Sequence, residues 1–176
     1  MQVEANDQIY DRITIRLHWI TALLVTTLWL IGRLNRFLPK GPLRLDIWTI
    51  HVLIGFLLLA VVLTRIWWRA AKGRHLPPAD TGVRQILANL THLLLYFLLG
   101  GVVFLGVWNA LHGFVLFGVW KLPKLDDGVD RHAVDAWHNW FANMIMAVAL
   151  FHALAAWFHK AVLKDGVLGR MWPAKG

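Results

Sequence analysis

The chain has 176 residues, of which 58% are apolar and 16% charged, against about 25% charged in ordinary soluble domains. Its formal charge is +8 and it has no cysteine, which excludes disulfides, thiolate-held iron–sulfur clusters and cysteine nucleophiles. The basic residues flank long apolar runs instead of forming one face, which speaks against nucleic acid as a partner and for a lipid bilayer.

Residues 1–13 are polar, with Glu4, Asp7 and Asp11, and read as an interfacial lead-in. The apolar run that follows is too long for a cleavable signal peptide, and no small-residue cleavage pattern follows it. The first predicted span covers about Thr14 to Gly32, near the ~20 residues a bilayer requires. It carries Arg16 and His18 at its start. Residues 33–47, with Arg33, Arg36, Lys40 and Arg44, read as a loop in which Pro39 and Pro42 break the helix.

The second span covers about Trp48 to Trp68, with His51 one turn inside it and Arg65 and Arg69 marking its far end. A basic loop over 70–84 leads to the third, about Gln85 to Trp108, which contains His92. Gly100 and Gly101 at its middle suit close helix packing in lipid. Residues 109–133 form the longest connection. Its run Gly113–Trp120 is apolar but too short to span, and suits the interface or a cover over the bundle mouth. The acidic stretch with Asp126, Asp127 and Asp130 follows.

The fourth span covers about Val134 to Lys160 and carries His138, His152 and His159. His138 and His152 are 14 residues apart, close to four turns, so they share one stripe ~21 Å apart along the axis. The sequence thus predicts an all-α, single-domain membrane four-helix bundle over residues 1–176. Four spans put both termini on one side. That side holds eleven Lys and Arg against seven on the other, so the termini are expected in the cytoplasm. Trp48, Trp67, Trp68, Trp108, Trp137 and Trp157 lie near span ends, where aromatic belts form.

On this plan the histidines sort by depth. His51 and His138 each lie ~6 Å inside the outer end of their helices. His18 lies near the inner end of the first span, and His152 ~12 Å above the inner end of the fourth. Each pair joins two helices, as an axially coordinated metal requires. Ionisable residues inside a membrane point to function by default. The residues at i+4 from His18, His51, His138 and His152 are Ala22, Gly55, Ala142 and Ala156, small enough to leave space beside each ring. His92 has Tyr96 there, and His159 has Leu163. Haem iron accepts neutral imidazole on both faces, whereas zinc asks for three or four converging ligands. A histidine-only site at the inner end, drawn from His18, His92, His152 and His159, stands as the alternative.

Several stretches resemble the bacterial cytochrome b561 family of small four-span, di-haem b proteins of the inner membrane. They are Arg16-Leu17-His18-Trp19, Ile50-His51-Val52, Ala88-Asn89-Leu90-Thr91-His92 with Tyr96, Trp137-His138, Phe151-His152 with His159, and the tail Lys164-Asp165-Gly166-Val167-Leu168-Gly169-Arg170-Met171. The resemblance covers nearly the whole chain. It implies two haem b groups, one ligated by His18 with His152 and one by His51 with His138. It also implies one of two activities. The first is oxidation of superoxide at the outer face with ubiquinone as electron acceptor. The second is a quinone-linked carrier or anchor for a periplasmic redox partner.

A basic funnel draws a small anion, and Arg33, Arg36, Arg44, Lys121, Lys124 and Arg131 are candidates to steer superoxide or pair with haem propionates, with Arg16 a further cation at the inner end. Helix-end snorkelling explains any one of them equally well. A quinone needs an apolar groove with a few polar groups. Trp120, Trp137, Trp140 and His132 at the outer end, or His92, Tyr96 and His159 at the inner end, are the candidate linings.

Overall fold

A computed structural model of the protein describes residues 9–124 and 128–172. Glu4 and Asp7 of the lead-in, Asp126 and Asp127 of the acidic stretch, and Lys175 lie outside the described residues. Four long helices carry the architecture: α1 (Arg12–Leu34), α2 (Pro42–Ala71), α3 (Gly82–Ala110) and α4 (Arg131–Phe158). All four are long and apolar enough to cross a membrane. The shortest, α1, has 23 residues and is about 35 Å long, against a hydrocarbon core of about 30 Å.

Capping chemistry sets several of the ends. Asp11 caps α1 by accepting the Thr14 N–H at 2.9 Å and the Thr14 hydroxyl at 2.6 Å. Asp130 caps α4 by accepting the His132 N–H at 2.9 Å, so this helix begins at Arg131, a turn before the apolar run. Pro42 does not break a helix; it stands at the start of α2. At that position the missing N–H costs nothing, because the first N–H groups of a helix have no partner within it. The connection between α1 and α2 therefore shrinks to a 3-10 turn at Asn35–Phe37 and a few residues more.

Most of the helical surface faces outward. Leu23, Leu57, Leu63, Leu93, Phe97, Leu150 and Phe151 are all exposed, as lipid-facing positions should be. Hydroxyls in the spans are satisfied locally: Thr21, Thr26, Thr49, Thr64 and Thr91 each donate to the carbonyl four residues back. In a solvent without water that pairing removes the penalty for a free hydroxyl. The central cluster comprises Leu28, Leu58, Val62, Leu98, Leu99 and Ile145.

The bundle is built as two tight hairpins, α1 against α2 and α3 against α4, with looser seams between α1 and α4 and between α2 and α3. Gly101 permits the tight seam of the second hairpin, because a methyl group there would overlap the Phe141 ring. Gly100 faces open space and takes no part.

Two caps close the ends. At the outer end a hairpin of β1 (Val115–Leu116) and β2 (Trp120–Lys121) rests on the start of α2. The Phe117 N–H donates to the fully buried Thr49 hydroxyl at 3.0 Å, and Gly118 approaches Leu45. At the inner end Asp11 also accepts from the Trp68 indole at 2.9 Å and the Arg74 N–H at 3.1 Å. After α4 a π-helical turn, His159–Leu163, leads to a 3-10 turn, Val167–Met171, which returns across the bundle base. There Trp19 donates to the Met171 carbonyl at 2.9 Å and Arg170 donates to the Pro77 carbonyl at 2.8 Å.

Candidate haem-binding sites

The long helices bring four histidines into two facing pairs. At the outer level His51 on α2 faces His138 on α4, with ring centroids 6.3 Å apart and planes at 79°. At the inner level His18 on α1 faces His152 on α4, with centroids 6.3 Å apart and planes at 72°. A metal–imidazole bond is about 2.0 Å long and the nitrogen lies about 1.1 Å from the ring centre, so rings gripping one metal from opposite sides have centres about 6.2 Å apart. Both pairs meet that spacing. Each also bridges helices that are loosely packed or not among those in close backbone contact, where a flat cofactor finds room.

The outer pair is backed by glycine. A methyl group at Gly106 would stand 3.0 Å from the His138 ring, and one at Gly32 would stand 3.6 Å from the His51 ring. Each glycine lies on the hairpin partner of the helix that carries the histidine, so each ring lies close against its neighbour's backbone. The Nδ1 atoms of His51 and His138 are buried and meet no hydrogen-bond partner. A buried orphan of this kind asks for an explanation. A ring that takes part in binding an absent group would be one. One turn along from the histidines, Gly55 and Ala142 line a cavity of about 390 Å³ between the two rings' helices. That is within the range of about 300–1,000 Å³ seen for small-molecule and cofactor sites.

Two arginines enter this cavity. Arg33 donates to the Asn143 side-chain carbonyl, which also accepts from the Trp29 indole at 3.1 Å. Arg36 donates to the side-chain carbonyl of Asn139. Among the described residues neither guanidinium pairs with a carboxylate, so both keep net charge available to an anion. Arg131 and Asp135 stand at the cavity wall, with Asp135 accepting from Asn109.

The inner pair has different company. His92 on α3 lies 5.3 Å from His152, centroid to centroid, and makes the group a trio. The half-buried Arg65 reaches Nδ1 of His18 at 3.3 Å and stands over the Tyr96 ring at 5.5 Å. Among the described residues no three His, Asp or Glu side chains converge as a metal-ion site, which disfavours a histidine-only centre here.

The remaining candidates are placed as follows. Arg44 braces the α1–α2 connection by donating to the Leu38 carbonyl at 3.4 Å, while its own carbonyl accepts from Asn35. Lys121 is exposed on β2, and Lys124 lays its alkyl chain against Gly113. Neither lines the outer cavity. Arg16 is exposed near the inner end of α1. His159 bonds to Asp165 at 2.5 Å. Slight burial works to raise the Asp165 carboxyl, but the His159 bond and the Val167 N–H hold it below its usual value. Trp120, Trp137 and Trp140 are exposed, as is His132. Sequence reasoning passed over Asn139 and Asn143. Their signal was present, as amides spaced i, i+4 in an apolar helix beside His138.

The family model for prokaryotic cytochrome b561 matches residues 9–174. The chain belongs to this family. Its members are four-helix membrane bundles that bind haem b and transfer electrons. Relatives include a "probable superoxide oxidase CybB" of Yersinia pestis, 29% identical over 173 residues, covering 94% of this chain and 97% of that protein. The cytochrome b561 homolog 2 of Escherichia coli K12 is 26% identical over 92% of this chain and 90% of its own length. A cytochrome b562 of Cereibacter sphaeroides is 30% identical over 92% of this chain and 94% of its own.

Proposed function

We propose that this cytochrome holds two haem b groups, one between His51 and His138 and one between His18 and His152. We further propose that it passes single electrons from superoxide at the outer face to ubiquinone. The observation that carries the reading is the pair of facing imidazole sets, each 6.3 Å between centroids, at two depths of one apolar bundle. When bound, haem supplies a one-electron centre inside lipid, which side chains alone cannot provide. The chain's residues do the rest. His51 with His138, and His18 with His152, would each hold one haem iron, and the bound groups would supply outer-sphere one-electron transfer. Gly32 and Gly106 set the outer rings close to the backbone. Arg33 and Arg36 pair with propionates or attract the anionic donor, with Arg131, Lys121 and Lys124 further out.

Two superoxide anions each lose one electron and leave as dioxygen. One ubiquinone gains two electrons and two protons and becomes ubiquinol. The excess of Lys and Arg at the terminus side supports cytoplasmic termini and a periplasmic position for the arginine-bearing cavity. Superoxide as donor is further supported by the name of the Yersinia relative. The other two relatives, named simply as cytochromes, favour a second reading: a quinone-linked carrier or anchor that receives electrons from a periplasmic redox protein.

The test is ubiquinol formation by the purified protein under a superoxide source. The first reading expects ubiquinol that superoxide dismutase abolishes. A protein with an intact haem spectrum and no such activity would sink that reading in favour of the carrier.

A further inference from the structure

We infer that the outer hairpin is a membrane anchor: its tip, Phe117 to Trp120, lies in the lipid leaflet at the outer end of the bundle. The inference rests on the membrane-spanning fold alone and on neither the haems nor the electron donor.

The tip has the wrong chemistry for water. Phe117 is 50% exposed, Val119 75% and Trp120 74%, whereas turns in water favour Gly, Asn, Asp and Ser. The backbone makes Phe117 the more telling. The Val119 N–H donates to the Leu116 carbonyl at 3.0 Å, and φ is positive at both residues between them, 49° at Phe117 and 71° at Gly118. Hairpin turns with two such residues prefer Asn-Gly, and a bulky side chain there is an outlier. An aromatic ring held in a costly conformation, with half its surface uncovered by protein, needs a partner outside the chain.

Position names that partner. Trp48 and Trp68 stand 20 residues apart on α2, about 30 Å and one hydrocarbon thickness, with Trp48 at the outer boundary. The hairpin is footed at this level, on Thr49 through the Phe117 N–H and on Leu45 through Gly118. Leu45, Thr49, Leu53 and Leu57 follow one another at i+4 and form one ridge of α2. Thr49 is fully buried, while Leu53 and Leu57 below it are exposed to lipid. The tip therefore continues a lipid-facing surface outward. No residue from Val115 to Lys121 lines the outer cavity, whereas Trp48 and His51 do, so the hairpin stands at the flank of the bundle and does not cover that cavity. Exposed Lys121 beside Trp120 adds a cation whose stem can reach the phosphates from an aromatic belt.

The chain has no cysteine, so a single nitroxide label can report the depth of the tip. The full-length protein carrying Val119→Cys is labelled and placed in vesicles of phosphatidylethanolamine and phosphatidylglycerol. Leu57→Cys serves as the lipid reference and Lys40→Cys as the loop reference at the same end. Power saturation compares collisions with oxygen, which concentrates in lipid, and with a water-soluble nickel chelate. The label at 119 is expected to meet oxygen readily and to meet nickel several-fold less than the label at 40. Nickel contact equal to that at 40 would put the tip in water and overturn the inference. Low contact with both would give the tip to a second copy of this chain and overturn it as well. Phe117→Asn tests the same point without a label. In water it would suit the turn and slow hydrogen exchange of the hairpin amides. In lipid it removes the anchor, and exchange in vesicles is expected to quicken several-fold. Unchanged or slower exchange would count against the anchor.

Discussion

The outer and inner histidine pairs have the same ring separation, 6.3 Å, and very different walls. The outer pair is enclosed by glycines, with a cavity and two arginines held by asparagines. The inner pair is crowded by a third imidazole, a half-buried arginine and a tyrosine. The shared feature is what axial ligation demands, and the differences are where the two sites can be given different work. Experiments that hit one pair and spare the other therefore carry the most information.

The largest effect is expected from removing a ligand. His51→Ala should lose one of two haems while the inner one persists, and His152→Ala should do the converse, read as haem per protein by pyridine haemochrome. Retention of both haems in either variant would break the two-site scheme. Next comes Gly106→Val. Its Cβ alone would stand 3.0 Å from the His138 ring, so the ring must move or the hairpin must open. Overpacking of this kind costs about 1–3 kcal/mol, and the outer haem should be lost or shifted spectrally with the inner one unchanged. Gly100→Ala, which meets nothing within 4 Å, is the control and should behave as the unaltered protein.

A smaller, graded effect is expected at Arg33 and Arg36. Neutralising both with glutamine should lower the rate with superoxide several-fold and flatten its dependence on ionic strength, because steering of an anion weakens as salt screens the charges. Equal loss at low and high salt would assign the arginines to holding the cofactor instead.

The spans were readable because lipid demands about 20 apolar residues whatever the tertiary packing, and the depth of each histidine followed from a rise of about 1.5 Å per residue. Azimuth was harder. Sequence placed Arg65 at a helix end, where snorkelling is the ordinary explanation, and gave no sign that it turns inward to His18. Arg44 looked like a member of a basic funnel and is a loop brace, because its partner is a carbonyl of the connection it supports. Pro42 was misread as a breaker because the missing N–H is harmless at a helix start and costly inside one. The outer hairpin was ambiguous for a different reason: its anchor is a single hydrogen bond from Phe117 to Thr49, 68 residues away, which no local pattern announces.

The smallest expected effect lies outside both pairs and tests whether the inner end is clasped by one carboxylate. Partial burial works to raise the pKa of Asp11, but bonds from Thr14, Arg74 and Trp68 outweigh it and bring the group down to about 2 from 3.8. The folded state therefore holds the ionised form more tightly than the unfolded chain does. The stabilisation is fully present above about pH 4 and is lost as pH falls through about 2. Asp11→Asn keeps a capping side chain but cannot ionise. Thermal unfolding of the two proteins should accordingly diverge most at neutral pH and converge toward pH 2, with the variant the flatter of the two. A constant gap across that window would mean that Asp11 acts through hydrogen-bond geometry alone. Because Asp11 ties the start of α1 to the end of α2 and to the following loop, a converging gap should be accompanied by exposure of Trp68 fluorescence at the inner end. The outer haem spectrum should remain unchanged.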